Sequence, residues 1–299
     1  MDPEKTIAFD AVERARAAFD GFPNHWQIAS LAIERLAADE RVIGLYLSGS
    51  FANGKPDHWS DVDLYVVVPD GAADDLIGSH QRLISEVGSI ATKFPATHLG
   101  DPRQIIVFYR AIEPIHFDYQ YRELGQLEAR PQDSNVTILL DRTGELERWR
   151  EACRREATPS GPTLAELQHL EDRFWAWCWY THAKIERGEL WVAREAVEFL
   201  RNEVLLPLAH REGQIFEGNR RLESKLPNDT QDLLESTIPK GHSASSYSQA
   251  LDRTMDVYLQ LFRSIPPHHR AEVQLVDRDY FRAKMTGYKK ASPSAGQSD

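Results

Sequence analysis

The chain has 299 residues, of which 41% are hydrophobic and 27% charged, and its formal net charge is −11. That composition gives a folded protein a real core, and the length suits one large or two ordinary domains. The acidic balance excludes a general nucleic-acid binder with a basic footprint, the two cysteines exclude a disulfide framework, and no stretch is long and apolar enough to span a membrane.

In chain order, the opening MDPEKTIAFD lacks an apolar segment, so no signal peptide and a cytoplasmic setting are expected. Residues 5–20 and 26–39 carry apolar residues at helical spacing, with a break at Gly21-Phe22-Pro23-Asn24. Arg41 to Ser48 reads as a strand, and Phe51 to Lys55 as a short helix that starts at Gly49-Ser50. Val62 to Val68 is a second strand, closed by the turn Pro69-Asp70-Gly71, and Ala72 to Gly88 returns to helix. Three further strands are expected at Gln104 to Arg110, Pro114 to Arg122 and Val136 to Leu140. From Glu145 to about Arg263 the patterns are helical. Thr163 is an expected N-cap with Glu166 at capping-box spacing. The run Phe174 to Tyr180, apolar on every side, predicts a helix buried all round, with Leu190 to Leu206 as its partner up to Pro207. The expected division is residues 1–145, a mixed α/β domain, residues 146–290, an all-α helical bundle, and residues 291–299, a disordered tail.

The chemistry concentrates in LYLSGSFANGKPDHWSDVDLYVVV, residues 45–68. Asp61 and Asp63, two apart on a strand, share one face, while Val62, Leu64, Val66 and Val68 fill the other. Two acids side by side near a core are costly unless a cation neutralises them, and hard oxygen ligands suit Mg²⁺. Gly49 permits a tight turn, and the Ser50 hydroxyl with the amides after it can cradle phosphate oxygens. A third acid is read at Asp118, on the polar face of a strand whose other face is Ile115, Phe117, Tyr119 and Tyr121. Glu113 is the competitor, but Pro114 interrupts the strand beside it. His116 reads as a polar-face neighbour, and Trp59 as an anchor of its loop.

Gly49-Ser50, ten residues, Asp61-x-Asp63 and an acid on a later strand resemble the nucleotidyltransferase superfamily of the DNA polymerase β type. With a helical domain following, the chain is similar to the antibiotic adenylyltransferases that act on aminoglycosides and lincosamides. The resemblance implies that Asp61, Asp63 and Asp118 bind two Mg²⁺ ions, that Gly49 and Ser50 hold the phosphates of ATP, and that AMP passes to a hydroxyl of a small molecule with release of pyrophosphate. Glu166, Glu171 and Glu186 are alternative general bases. A protein-adenylylating enzyme of the antitoxin type is the alternative function.

Overall fold

Two periodicities, alternation in the first half and 3.6-residue spacing in the second, organise the chain into two units, Met1–Ala157 and Thr158–Asp299. The computed structural model describes residues 3–156, 162–209 and 218–291. Helices α1 (Pro3–Arg16) and α2 (Pro23–Ala37) lead into β1 (Gly44–Ser48), the single-turn helix α3 (Gly49–Ala52) and β2 (Val62–Val68). Helix α4 (Ala73–Val87), strands β3 (Ile90–Ala96), β4 (Asp101–Tyr109), β5 (Ile115–Glu123) and β6 (Thr137–Asp141), and helix α5 (Glu145–Arg155) follow. The six strands form one mixed sheet in the order β3-β4-β5-β2-β1-β6. Within it β2 and β5 pair in parallel and every other neighbour is antiparallel.

One face of the sheet is the core. Val62, Leu64, Val66 and Val68 of β2 and Ile115, Phe117, Tyr119 and Tyr121 of β5 all bury there, as their alternation requires. Small residues of α1 and α2, among them Ala8, Ala11, Ala29 and Ala32, pack on them. The other face is divided. Towards the C-terminal end of β2, Tyr46, Val67 and Ile138 are covered by Leu146, Trp149 and Cys153 of α5, and Tyr46 stacks on Tyr65 at 4.5 Å. The division between units therefore falls after α5, because its apolar stripe belongs to the sheet. Strand β3 is not legible in the sequence: it is an edge strand, mostly exposed, carrying Lys93 and Pro95.

Helix α4 is tied to the sheet through His80, with Nδ1 3.0 Å from Tyr121 Oη and Nε2 3.1 Å from Asp39 Oδ2. The Asp39 carboxylate only accepts, so Nε2 carries the hydrogen and Nδ1 accepts from the tyrosine. Burial holds the His80 pKa below its ordinary value, with the Asp39 hydrogen bond opposing.

The second unit contains α6 (Leu164–Glu186), α7 (Leu190–Leu200), a π-helical turn (Arg201–Leu205), α8 (Leu206–Ala209), α9 (Leu222–Lys225), α10 (Asn228–Glu235), α11 (Ala244–Ser264), α12 (Pro267–Glu272) and α13 (Arg278–Ala291). No strand occurs among its described residues, and no helix there or elsewhere in them is long and apolar enough to cross a membrane. The expected disordered tail lies outside the described residues except for Ala291, the end of α13. The Thr163–Glu166 capping box is present as the spacing predicts. The aromatic run is not buried all round. Phe174, Trp175 and Cys178 turn inward, while Tyr180 is 39% exposed, because at 100° per residue seven consecutive positions sweep past every side of a helix. Nor does the partner helix stop at Pro207; the π turn before it accommodates a residue without an N–H, and helix continues to Ala209.

Fully buried Glu171 on α6 joins three helices. Arg278 of α13 donates to it through Nε at 2.8 Å and Nη2 at 2.6 Å, the Val276 amide donates at 3.2 Å, and the Tyr258 hydroxyl of α11 donates to Oε2. With every lone-pair direction engaged, this glutamate is structural and not a general base; Glu166 is likewise taken up by the capping box.

Two measurements follow. Glu171→Ala leaves Arg278 without its partner and lowers the unfolding free energy by about 3–5 kcal/mol in urea titrations. His80 is held neutral by the fold, so its contribution is complete above the unfolded pKa of about 6.5 and is lost as pH falls through the depressed folded value. Urea midpoints decline below that pH, and His80→Gln flattens the decline.

Candidate active site

Parallel pairing of β2 with β5 places Asp63 directly opposite Asp118. Both stand on the face that α5 leaves open, at the end of β2 away from Tyr65 and Val67. Asp61, His116 and Asp118 bring one ligand atom each within 4.8 Å of one another. Asp63 is outside that group but adjoins it across the strand pair. Asp118 is almost fully buried, and both its oxygens accept: Oδ1 is 2.8 Å from His116 Nε2 and Oδ2 is 2.8 Å from Gln104 Nε2. A carboxylate has about four lone-pair positions, so each oxygen keeps one for another partner. His116 lies flat on Phe108 at 4.6 Å, with Nδ1 4.0 Å from Asp61 Oδ2. Its hydrogen bond to Asp118, aided by the charges of Asp118, Asp61 and Asp63, raises its pKa against the opposing effect of burial.

Gly49 follows β1 at φ +67°, a conformation that an L side chain rarely adopts, and a Cβ there would lie 2.2 Å from Asp63 Oδ2. The glycine is thus required twice, by the turn and by the carboxylate against it. The hydroxyl of Ser50 is buried and has no hydrogen-bond partner among the described residues. The helix at this turn is shorter than expected: α3 spans only Gly49–Ala52, so the amides of a tight turn, and not a helix dipole, are available to an anion. The following loop closes on Asp57, whose carboxylate accepts from the Trp59 amide at 2.9 Å and Ser60 Oγ at 3.1 Å.

Trp59 does not anchor that loop through its side chain; the residue is 83% exposed. Glu113, the competing third acid, stands in the β4–β5 turn, exposed and paired with His58. His116 is the donor that the sequence reading passed over, although its alternation with Asp118 already put it on the right face. Gln104 could not be found without the β4–β5 register. Lys184 pairs with Glu189 at 2.6 Å within its own unit.

A strand, a glycine turn, an acid pair of which Asp61 precedes β2 and Asp63 lies on it, and a parallel third strand carrying another acid agree with the frame that the sequence resemblance implies, and with the family match this chain is a nucleotidyltransferase. A family model described as streptomycin adenylyltransferase matches residues 25–282. The chain belongs to that family. Among solved structures it is similar to an aminoglycoside 6-adenyltransferase from Bacillus subtilis, with 14% identity, a TM-score of 0.40, and 88% of this chain and 97% of that chain covered. No curated protein matches.

Gly49→Ala tests the turn. Its side chain strains the backbone, at about 1–3 kcal/mol for a non-glycine residue in this region, and pushes Asp63 aside. The expected result is a lower urea midpoint together with a loss of transferase activity that added metal does not restore.

Proposed function

We propose that the protein transfers AMP from ATP to a hydroxyl of a small cationic molecule and releases pyrophosphate. The observation that carries this reading is the alignment of Asp63 with Asp118 beside Asp61, next to the glycine turn and the unpartnered Ser50 hydroxyl. The donor set fits hard divalent cations, and Asp61, Asp63 and Asp118 are assigned to two Mg²⁺ ions. His116 remains a partner of Asp118, since Mg²⁺ takes oxygen ligands. When bound, the ions neutralise the phosphates and ease ionisation of the acceptor hydroxyl.

The protein's own groups do the rest. Ser50 Oγ and the turn amides hold the β and γ phosphates, setting the α-phosphorus in line with the acceptor. Asp118 keeps a free lone pair for the hydroxyl proton, its orientation held from both sides by His116 and Gln104. The helical unit is assigned to recognition of the acceptor. The net charge of −11 favours a cationic one, and the streptomycin of the family description is the first to test.

The test is pyrophosphate release from ATP with Mg²⁺ and streptomycin or a panel of other hydroxyl-bearing amines. Asp118→Asn and Asp61→Asn should each lower the rate by about a thousandfold, the scale set by losing several kcal/mol of charge stabilisation. Release of pyrophosphate with no small acceptor, together with labelling of a single protein in cell extract, would overturn the reading.

A further inference from the structure

Beneath the two facing carboxylates lies a second polar row. Gln120 of β5 is opposite Tyr65 of β2 on one side and Gln104 of β4 on the other. Both glutamines are buried, at 6% and 8% exposure. Each reaches diagonally up to a carboxylate on the neighbouring strand: Gln120 Nε2 donates to Asp63 Oδ1 at 3.3 Å, and Gln104 Nε2 donates to Asp118 Oδ2 at 2.8 Å. Long side chains span such diagonals in a sheet.

The orientation of the Gln120 amide is dictated from behind. Arg122 Nη2 donates to Gln120 Oε1 at 3.0 Å and to Asp101 Oδ2 at 2.7 Å, while Nη1 holds the Tyr121 carbonyl at 2.9 Å. Turned over, the amide would set its oxygen against Asp63 and its hydrogens against a guanidinium, two repulsive contacts in a buried place. Asp101 and Arg122 thus fix which end of Gln120 faces the acid.

We propose that Gln120 is a positioning residue for Asp63, locked by the Arg122–Asp101 pair, and that Gln104 does the same for Asp118. The proposal rests on the metal-binding reading above. An amide suits the task because it aims one carboxylate oxygen without adding charge. An arginine in its place would compete with the cation for both oxygens.

The experiment titrates Mn²⁺ alone into the full chain by calorimetry and measures the Mg²⁺ dependence of transfer. In Gln120→Met the Mn²⁺ dissociation constant should rise about 10–100-fold, and the Mg²⁺ concentration for half-maximal rate should rise with it, while kcat at saturating Mg²⁺ stays near that of the unmodified protein. Arg122→Lys, which keeps a donor for Gln120, should retain more affinity than Arg122→Met. If Gln120→Met binds Mn²⁺ within about twofold of the unmodified protein, the positioning role is wrong. If it fails to fold, judged by its urea midpoint, the Arg122 pair decides: equal affinities in Arg122→Lys and Arg122→Met overturn the proposal. Undiminished Mn²⁺ binding by Asp63→Asn would instead sink the metal reading itself, whatever Gln120 does.

Discussion

Mutual repulsion of carboxylates held on neighbouring strands is the constraint around which the first unit is built. Strands in a sheet lie about 4.8 Å apart, and in-register residues cannot move away from one another. Asp63 and Asp118 face each other in this way with Asp61 close by. Unit charges at such separations interact by several kcal/mol near a protein surface. The surrounding residues are the response. Gly49 yields its side-chain volume to Asp63, two glutamines donate to the acids without charge, and His116 shares a proton with the most buried of the three.

That response depends on one unusual pairing. In a sheet that is otherwise antiparallel, β2 and β5 run the same way, so Asp63 near the start of β2 comes level with Asp118 in the middle of β5 and both point to one face. The opposite face of the same strands is apolar and buried against α1 and α2. A shift of one residue in register would send the acids into the core and the valines into the open, which the burial of Val62, Leu64, Val66 and Val68 forbids. Core packing and site geometry are therefore one constraint seen from two sides of a sheet.

Most of this frame was legible in the sequence, because strand alternation displays itself directly. The positions of Asp61, Asp63 and Asp118, the glycine turn and the capping box of α6 all follow from local spacing. The parts that escaped depend on what spacing does not contain. The role of His116 requires knowing which strand lies beside β5, and that of Gln104 requires a register. Edge strand β3 buries little and so leaves no alternation to read. The aromatic run of α6 was over-read, since burial depends on which neighbours a helix meets and not on the hydrophobicity of the helix alone. Helix α13 brings the cation for Glu171, yet nothing in either segment announces the other. Only the fold does.

The Glu171–Arg278 contact spans 107 residues of sequence, which has a consequence for synthesis. Ribosomes deliver chain at about 5–20 residues per second, so the acid precedes its cation by roughly 5–20 s. Through that interval α6 holds a carboxylate that cannot be buried, and its aromatic stripe must wait with it. Closure of the helical unit on an incomplete set of helices would therefore carry the cost of an unpaired buried carboxylate. Its last described helix is also the one that permits it to close.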